Sequence, residues 1–269
     1  MNTIGFLGGG NMAEALIKGI ITANLYEPEN IFVSDIRPER PAFLAKEYRV
    51  QKVDTNAALA SKVDILVLSV KPQNMTEALQ SIKDAVKPDT LVISIAAGIK
   101  VANIAAVLGD IAIVRVMPNT PALIGEGASA LFANDKAKPM MEKAMSIFSA
   151  VGKAVVVETE GLIDAVTAVS GSGPAYYFLL MEEMIKAAGQ LGLSEDVAKE
   201  LVLQTAKGAA LLATSADEKG ESPAELRRKV TSPGGTTEAA LKVFADGKIS
   251  ELISAAIKRA RDRSQELSK

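Results

Sequence analysis

A chain of 269 residues exceeds the usual size of one domain, so a single large domain or two modest ones are expected. Its 48% apolar and 23% charged residues suit a packed protein and leave little room for intrinsic disorder, while 30 basic against 32 acidic residues argue against a general binder of nucleic acid or other polyanions. With no His and no Cys there is no catalytic triad, no thiolate nucleophile, no disulfide and no ordinary zinc site. Chemistry here must use carboxylates, Lys, hydroxyls, backbone amides or a borrowed cofactor.

The first residues lack a basic leader, and no uninterrupted apolar run reaches the roughly 18 residues that span a bilayer. A soluble cytoplasmic protein that engages no membrane is expected. Through the first half, β-branched runs alternate with helical spacing. Strands are predicted at residues 3–7, 31–34, 63–69, 90–95, 111–116 and 153–157, with a weaker, antiparallel one at 128–132. Helices are predicted between them at 12–23, 74–85 and 140–150. Continuous apolar strands such as Ile65-Leu66-Val67-Leu68 suit a parallel sheet covered on both faces, and the alternation points to an α/β, doubly wound, mostly parallel Rossmann-type domain over residues 1–159.

After Glu160 the strand signals vanish. Residues 161–170, 175–191, 196–214, 223–229, 236–244 and 250–266 read as helices, so residues 160–269 form an all-α domain. Gly192 followed by Ser194 reads as a helix stop and an N-cap, with Glu195 and Asp196 favourable in the next first turn. Several of these helices are apolar on more than one face, among them Ala175-Tyr-Tyr-Phe-Leu-Leu-Met181 and Gly208-Ala-Ala-Leu-Leu-Ala213. A bundle of about a hundred residues cannot bury that much alone. This half is therefore expected to pack against a second copy of itself.

Gly8-Gly9-Gly10-Asn11-Met12-Ala13 follows the first strand and opens a helix, giving G-x-G-x-x-A. Gly8 permits the tight turn, Gly10 lets backbone amides approach a pyrophosphate, and Ala13 keeps helix and strand close. Strand, turn and helix stand where dinucleotide binding requires them. Asp35 lies near the place, about 20 residues past the glycines, where a carboxylate holds the ribose 2′-hydroxyl of NAD. Ser34, Arg37 and Arg40 surround it, and a Ser hydroxyl with an Arg suits the 2′-phosphate of NADP. Asp35 is equally open to pairing with Arg37. The balance favours NADP (NADPH), with NAD tolerated.

Val70-Lys71-Pro72 and Ala96-Ala97-Gly98 follow predicted strands, at the carboxyl ends where such sheets bind ligands. Lys71 reads evenly as a solvent-facing loop lysine or as a site residue. Met117-Pro118-Asn119-Thr120-Pro121 reads as a pocket wall or a rigid turn. In the helical half, Thr231-Ser232-Pro233-Gly234-Gly235-Thr236-Thr237-Glu238 is a second glycine-rich helix start, with Ser232 as N-cap and Pro233 at the first helical position. Two glycines there cost roughly 1 kcal/mol each relative to Ala. They leave bare amides at a positive helix end, suited to a carboxylate. Val169-Ser170-Gly171-Ser172-Gly173-Pro174 is a further break, expected to serve close packing or a hinge.

The Gly8–Ala13 fingerprint, Val70-Lys71-Pro72, Ser170-Gly171-Ser172-Gly173-Pro174-Ala175-Tyr176 and above all Val230-Thr231-Ser232-Pro233-Gly234-Gly235-Thr236-Thr237 resemble the pyrroline-5-carboxylate reductase family. The resemblance covers nearly the whole chain. It implies NAD(P)H-dependent reduction of the cyclic imine 1-pyrroline-5-carboxylate to L-proline. It implies that Leu7, Gly8, Gly9, Gly10, Asn11 and Met12 hold the pyrophosphate and Ser34 the 2′-phosphate region, to which the reading of the residues adds Asp35 and Arg37; Asp35 departs from what a strict NADP enzyme of the family favours. Asn56, Val70, Lys71, Pro72, Ala97 and Gly98 would line the rest of the cofactor groove. Ser232, Gly234, Gly235 and Thr236 would bind the substrate carboxylate, and Thr237, the catalytic residue, would set its hydroxyl on the ring nitrogen. The family also implies an interlocked dimer, often further assembled, whose active site lies between one subunit's cofactor domain and its partner's helices. No metal is implied. Alternatives are a β-hydroxyacid dehydrogenase using Lys71 or another Lys as acid and base, and a non-catalytic NADP-binding sensor. The Ser232–Thr237 turn argues against both.

Overall fold

The computed structural model describes residues 3–267. Its strands and helices, in chain order, are β1 (Ile4–Leu7), α1 (Asn11–Thr22), β2 (Ile31–Ser34), α2 (Glu39–Tyr48), β3 (Gln51–Lys52), α3 (Asn56–Lys62), β4 (Ile65–Leu68), α4 (Met75–Gln80), β5 (Leu91–Ser94), α5 (Val101–Leu108), β6 (Ala112–Met117), β7 (Gly127–Ala133), α6 (Met141–Ser149) and β8 (Gly152–Val156). Then follow α7 (Leu162–Val166), α8 (Gly173–Gln190), α9 (Glu195–Asp217), α10 (Pro223–Lys229), α11 (Thr236–Asp246) and α12 (Ile249–Leu267). One compact unit runs to Pro174 and takes in the chain from Arg259 onward; the other is Ala175–Lys258.

In the first unit the strands form one sheet in the order β3-β2-β1-β4-β5-β6-β7-β8, parallel throughout except for β6 against β7. The weak strand foreseen around residues 128–132 is thus real and antiparallel to β6, while pairing in parallel with β8. Every residue of β1, β4 and β5 is buried. Successive side chains take opposite faces, so Ile4, Phe6, Ile65, Val67, Leu91 and Ile93 join one core with α1 and α6. Leu7, Leu66, Leu68 and Val92 join a second core with α3, α4 and α5. This two-sided burial is why the strands read as unbroken apolar runs.

Register then builds the site. Leu7 pairs with both Ser34 and Leu68, and Leu68 pairs with Ser94, so the chain leaves four neighbouring strands at one level. β1 sits where the strand order reverses, and the loops after β1, β2, β4 and β5 share its carboxyl edge.

Three helices and one strand escaped the sequence pattern. In α2 only Pro41 and Leu44 are buried, in α5 only Ile104, and α3 is a seven-residue segment. β3 is two exposed residues. None has enough buried positions to set a period. The segment predicted as one helix over residues 161–170 is α7 followed by a wider turn of helix at Thr167–Gly171. Gly171 lies where a Cβ would come within 2.6 Å of Met117 Cε, so this break serves close packing.

The second unit is helical, as expected. Ser194 caps α9, its side chain accepting from the Val197 amide at 3.5 Å, with Glu195 and Asp196 in the first turn. Ser222 and Glu225 form a reciprocal capping box on α10. Large apolar side chains stay uncovered along these helices, including Tyr177, Phe178, Leu211, Val243 and Leu252. Among the described residues no helix is long and apolar enough to cross a membrane.

Candidate active site

The glycine turn after β1 is shaped by two different constraints. Gly8 has φ +103°, and a Cβ there would lie 2.8 Å from the Ser69 carbonyl oxygen. It must be glycine for the fold. Gly10 has an ordinary φ of −72° and nothing within 4 Å of a Cβ. Its lack of a side chain leaves open space in front of the turn. Gly10 is the N-cap of α1 and contributes no side-chain cap, so the first amides of α1 face outward without an intrahelical acceptor. A cradle of this form fits a pyrophosphate on the positive helix end.

Behind the turn, a polar network holds its middle. The Gly9 amide donates to Asp35 Oδ2 at 2.7 Å, and the Gly9 carbonyl accepts from Arg40 Nε at 2.7 Å. Arg40 Nη2 donates in turn to Glu14 Oε2 at 2.8 Å, and the Tyr48 hydroxyl donates to Glu14 Oε1 at 3.1 Å. Arg40 is therefore committed to the loop.

Asp35 has both oxygens engaged: Oδ1 accepts from the Arg37 amide at 2.9 Å and from Arg37 Nε at 3.2 Å, while Oδ2 takes Gly9. Burial pushes the Asp35 carboxyl up, but the Arg37 side chain, the two backbone donors and the Arg37 charge outweigh it and hold it below its ordinary value. Of the alternatives open in the sequence, the pairing with Arg37 is the one present. The Arg37 side chain itself remains 55% exposed. Ser34 is buried and donates through Oγ to Asn56 Oδ1 at 2.9 Å, and Asn56 Nδ2 donates to Ser81 Oγ at 3.0 Å.

Two grooves meet at Gly10, Arg37 and Lys71. One, of about 480 Å³, is floored by Leu7, Gly8 and Asp35 and walled by Asn56 and Ser81. The other, of about 520 Å³, runs past Asn11, Met12 and Pro72 to Ala96, Ala97 and Pro118. Lys71 stands exposed at their junction, directly before a turn that begins at Pro72. Among the predicted cofactor residues, Gly9, Ser34 and Gly98 line neither groove: Gly9 supports the turn from behind, Ser34 is buried behind Asn56, and Gly98, with φ +76°, packs against the Leu267 carbonyl. Sequence reasoning passed over Ser69 and Ser81. Ser69 Oγ donates to the Gly8 carbonyl at 2.7 Å and pins the tight turn, and its signal was its place between the buried strand and Lys71.

The second glycine-rich helix start, in the second unit, differs in detail from the sequence reading. Ser232 is not the cap and Pro233 is not the first helical residue. Gly235 takes the N-cap position and α11 begins at Thr236, because the Ser232 carbonyl accepts from the Gly235 amide at 3.0 Å and closes a turn first. Gly234 follows the tight path with φ +72°, and its amide donates to Glu238 Oε2 at 2.7 Å. Thr231 Oγ1 donates to the Arg227 carbonyl at 2.6 Å and anchors the turn to α10. Gly235 offers no side-chain cap, so the amides of Thr236 and Thr237 open the helix without an internal acceptor. Ser232 and Thr236 are exposed and Thr237 is partly so. The turn presents hydroxyls and amides together at the positive end of an 11-residue helix.

Residues 160–267 match the family described as pyrroline-5-carboxylate reductase dimerisation, and residues 3–98 match NADP oxidoreductase coenzyme F420-dependent. A pyrroline-5-carboxylate reductase of Pseudomonas aeruginosa is 48% identical to this chain, over 98% of it and 96% of its own length. The chain belongs to the pyrroline-5-carboxylate reductase family. Its fold agrees closely with that of family members of known structure. The Coxiella burnetii pyrroline-5-carboxylate reductase is 42% identical with a TM-score of 0.92, over 100% of this chain and 99% of the other. A pyrroline carboxylate reductase of Plasmodium falciparum, solved with NADP bound, is 32% identical with a TM-score of 0.87, over 99% and 98% of the two chains. The helical half is the dimerisation segment of the family, which accounts for the apolar side chains left uncovered on α8, α9, α11 and α12.

Proposed function

We propose that the chain reduces 1-pyrroline-5-carboxylate to L-proline in the cytoplasm, with NADPH as the preferred coenzyme and NADH tolerated. Residues 1–159 bind the dinucleotide, and residues 160–269 bind the substrate and self-associate as an interlocked dimer. The observation that carries the reading is the presence of two anion-accepting helix starts in one chain, at Gly10 and at Gly235, each lacking a side-chain cap. One suits a pyrophosphate and the other a carboxylate.

Bound NADPH supplies the hydride. The chain does the rest by holding and orienting. The Gly8–Met12 turn seats the pyrophosphate, and Lys71 at the groove junction adds a cation beside it. The amides at the start of α11 receive the substrate carboxylate. Reduction of a ketone generates an alkoxide and calls for a His, Tyr or Lys proton donor, and of these the chain lacks His. A cyclic imine arrives protonated at nitrogen, already activated. Thr237 then has only to accept a hydrogen bond from that nitrogen and fix the ring, and alignment supplies most of the rate.

Coenzyme preference rests on Arg37. Because Asp35 is engaged by Gly9 and Arg37, its carboxylate is withdrawn from the ribose, and the exposed Arg37 cation suits a 2′-phosphate. Arg37→Ala is expected to raise KM for NADPH by about tenfold, the worth of one charged hydrogen bond, while leaving KM for NADH unchanged. Equal effects on both coenzymes would remove Arg37 from that role.

The function itself is tested by oxidation of NADPH and NADH with pyrroline-5-carboxylate, read as loss of reduced-nicotinamide absorbance, and by reduction of NADP+ and NAD+ with β-hydroxyacids, read as its gain. Turnover with the imine alone is expected. Turnover with hydroxyacids alone would refute the reading.

A further inference from the structure

A polar chain, buried but for the half-buried Glu160, lies outside both grooves and ends on one of them. Arg115, within the apolar strand β6, is 2% exposed and is the largest wholly buried side chain among the described residues. Its Nη1 donates to Glu160 Oε1 at 3.0 Å. Its Nη2 lies 3.9 Å from Asp164 Oδ1 and has no hydrogen-bond partner among the described residues. Asp164, in α7, accepts a 2.7 Å hydrogen bond at Oδ1 from Ser264 Oγ in α12, and both residues are buried. Glu160 Oε1 also accepts from the Val101 amide at 2.8 Å. Val101 opens α5, whose own N-cap, Lys100, makes no side-chain cap bond.

Both ends of this chain close on a single loop, residues 95–100. At its far end Glu160 caps α5 from outside, completing a helix start that the loop's own residues leave open. In its middle, Gly98 packs under the last turn of α12, where a Cβ would sit 3.1 Å from the Leu267 carbonyl oxygen. That turn of α12 is held three residues earlier by Ser264 on Asp164. Directly before these two anchors, between the end of β5 and Gly98, Ala96 and Ala97 form the wall of the groove that starts at Met12 and Lys71. Stability alone does not explain a guanidinium here, since a buried ion pair is often no better than apolar side chains of equal volume. What Arg115 adds is a fixed geometry: it ties the cap of α5 to the anchor of α12, and both bear on the same six residues.

We propose that Arg115 is a positioning residue, acting through Glu160, Asp164 and Ser264 to fix the loop at Ala96–Ala97 that walls the half of the cofactor groove remote from Asp35. The inference rests on the reading of the two grooves as the site of NADP(H). It assigns the network to one half of the cofactor only. The adenosine-side groove, floored by Leu7, Gly8 and Asp35 and walled by Asn56 and Ser81, contains none of the residues of loop 95–100.

That division gives the test. NADPH fluorescence titrations measure binding of the whole cofactor without turnover, and competition by 2′,5′-ADP measures the adenosine half alone. Arg115→Lys, Glu160→Gln and Ser264→Ala are each expected to weaken NADPH binding, Arg115→Lys by about tenfold, with 2′,5′-ADP affinity unchanged. Ser264→Ala removes one hydroxyl oxygen and Glu160→Gln keeps side-chain shape, so these two decide the matter if Arg115→Lys fails to fold. Parallel loss of NADPH and 2′,5′-ADP binding would mean general loosening and overturn the proposal, as would unchanged NADPH binding in all three. A wild-type protein that binds 2′,5′-ADP and NADPH normally while the variants match it overturns the positioning role alone. Failure of the wild type to bind either ligand overturns the cofactor reading, and this inference with it.

Discussion

Gly8→Ala is expected to damage the fold, whereas Gly10→Ala is expected to spare the fold and damage only cofactor binding. At Gly8 the backbone lies at φ +103°, and the new methyl would meet the Ser69 carbonyl at 2.8 Å and its carbon at 2.9 Å. Ser69 cannot give way cheaply, because it directly follows β4, which is hydrogen-bonded on both sides, and its own amide donates to the Leu7 carbonyl at 2.9 Å. Strain of this kind costs about 3 kcal/mol, which corresponds to a fall in Tm of roughly 10 °C for a protein of this size. At Gly10 the φ of −72° is open to any residue and no atom stands within 4 Å of a Cβ. The change to Ala at this N-cap costs at most about 1 kcal/mol of stability. The methyl does project into the space where the pyrophosphate would approach the amides of α1. A clash there of about 2 kcal/mol raises Kd for NADPH roughly thirtyfold. Thermal melts with and without NADPH separate the two variants. Equal losses of stability would show that both glycines serve only the turn.

That contrast marks how far a sequence can be read. The three glycines, their strand and their helix were legible, because φ demands and helix–strand order leave a local signature. Which glycine faces the ligand and which faces Ser69 was not, since Ser69 lies 61 residues away along the chain. The central strands were legible because burial on both faces makes them unbroken apolar runs. α2, α3 and α5 were not, having one or two buried positions each. Asp35 shows the same limit at a site. Its type and place suited a ribose hydroxyl, and only the fold reveals that Gly9 and Arg37 occupy both of its oxygens. Arg115 did carry a sequence signal: a guanidinium in the run Ile113-Val114-Arg115-Val116 cannot be buried without a partner. Its partner chain ends 149 residues on, at Ser264, beyond the reach of any periodicity. Ser232 failed as a cap for a local reason. Two glycines after a Pro allow an extra turn, and the helix waits until Gly235.

Thr237→Ala should lower kcat/KM for pyrroline-5-carboxylate by about a hundredfold, within the range attributed to a group positioned on a reacting proton. NADPH binding should be unaffected, because the cofactor cradle lies in the other compact unit and shares no residue with the Ser232–Thr237 turn. Thr237 sits one residue inside α11, where its side chain is not spent on capping and its amide has no internal acceptor. Loss of the hydroxyl therefore removes an interaction with the substrate nitrogen without opening the helix start, and the unfolding free energy should stay within about 1 kcal/mol of the parent's. Thr237→Ser keeps the oxygen and should retain most of the rate. Thr237→Val keeps the shape but not the oxygen, and should fall with Ala. The expected loss lies in kcat as well as KM, since an interaction that fixes the ring against the hydride donor counts most at the transition state. If Val were as active as Ser, the hydroxyl would have no part in the reaction, and catalysis would rest on the α11 amides and the alignment of the two ligands alone.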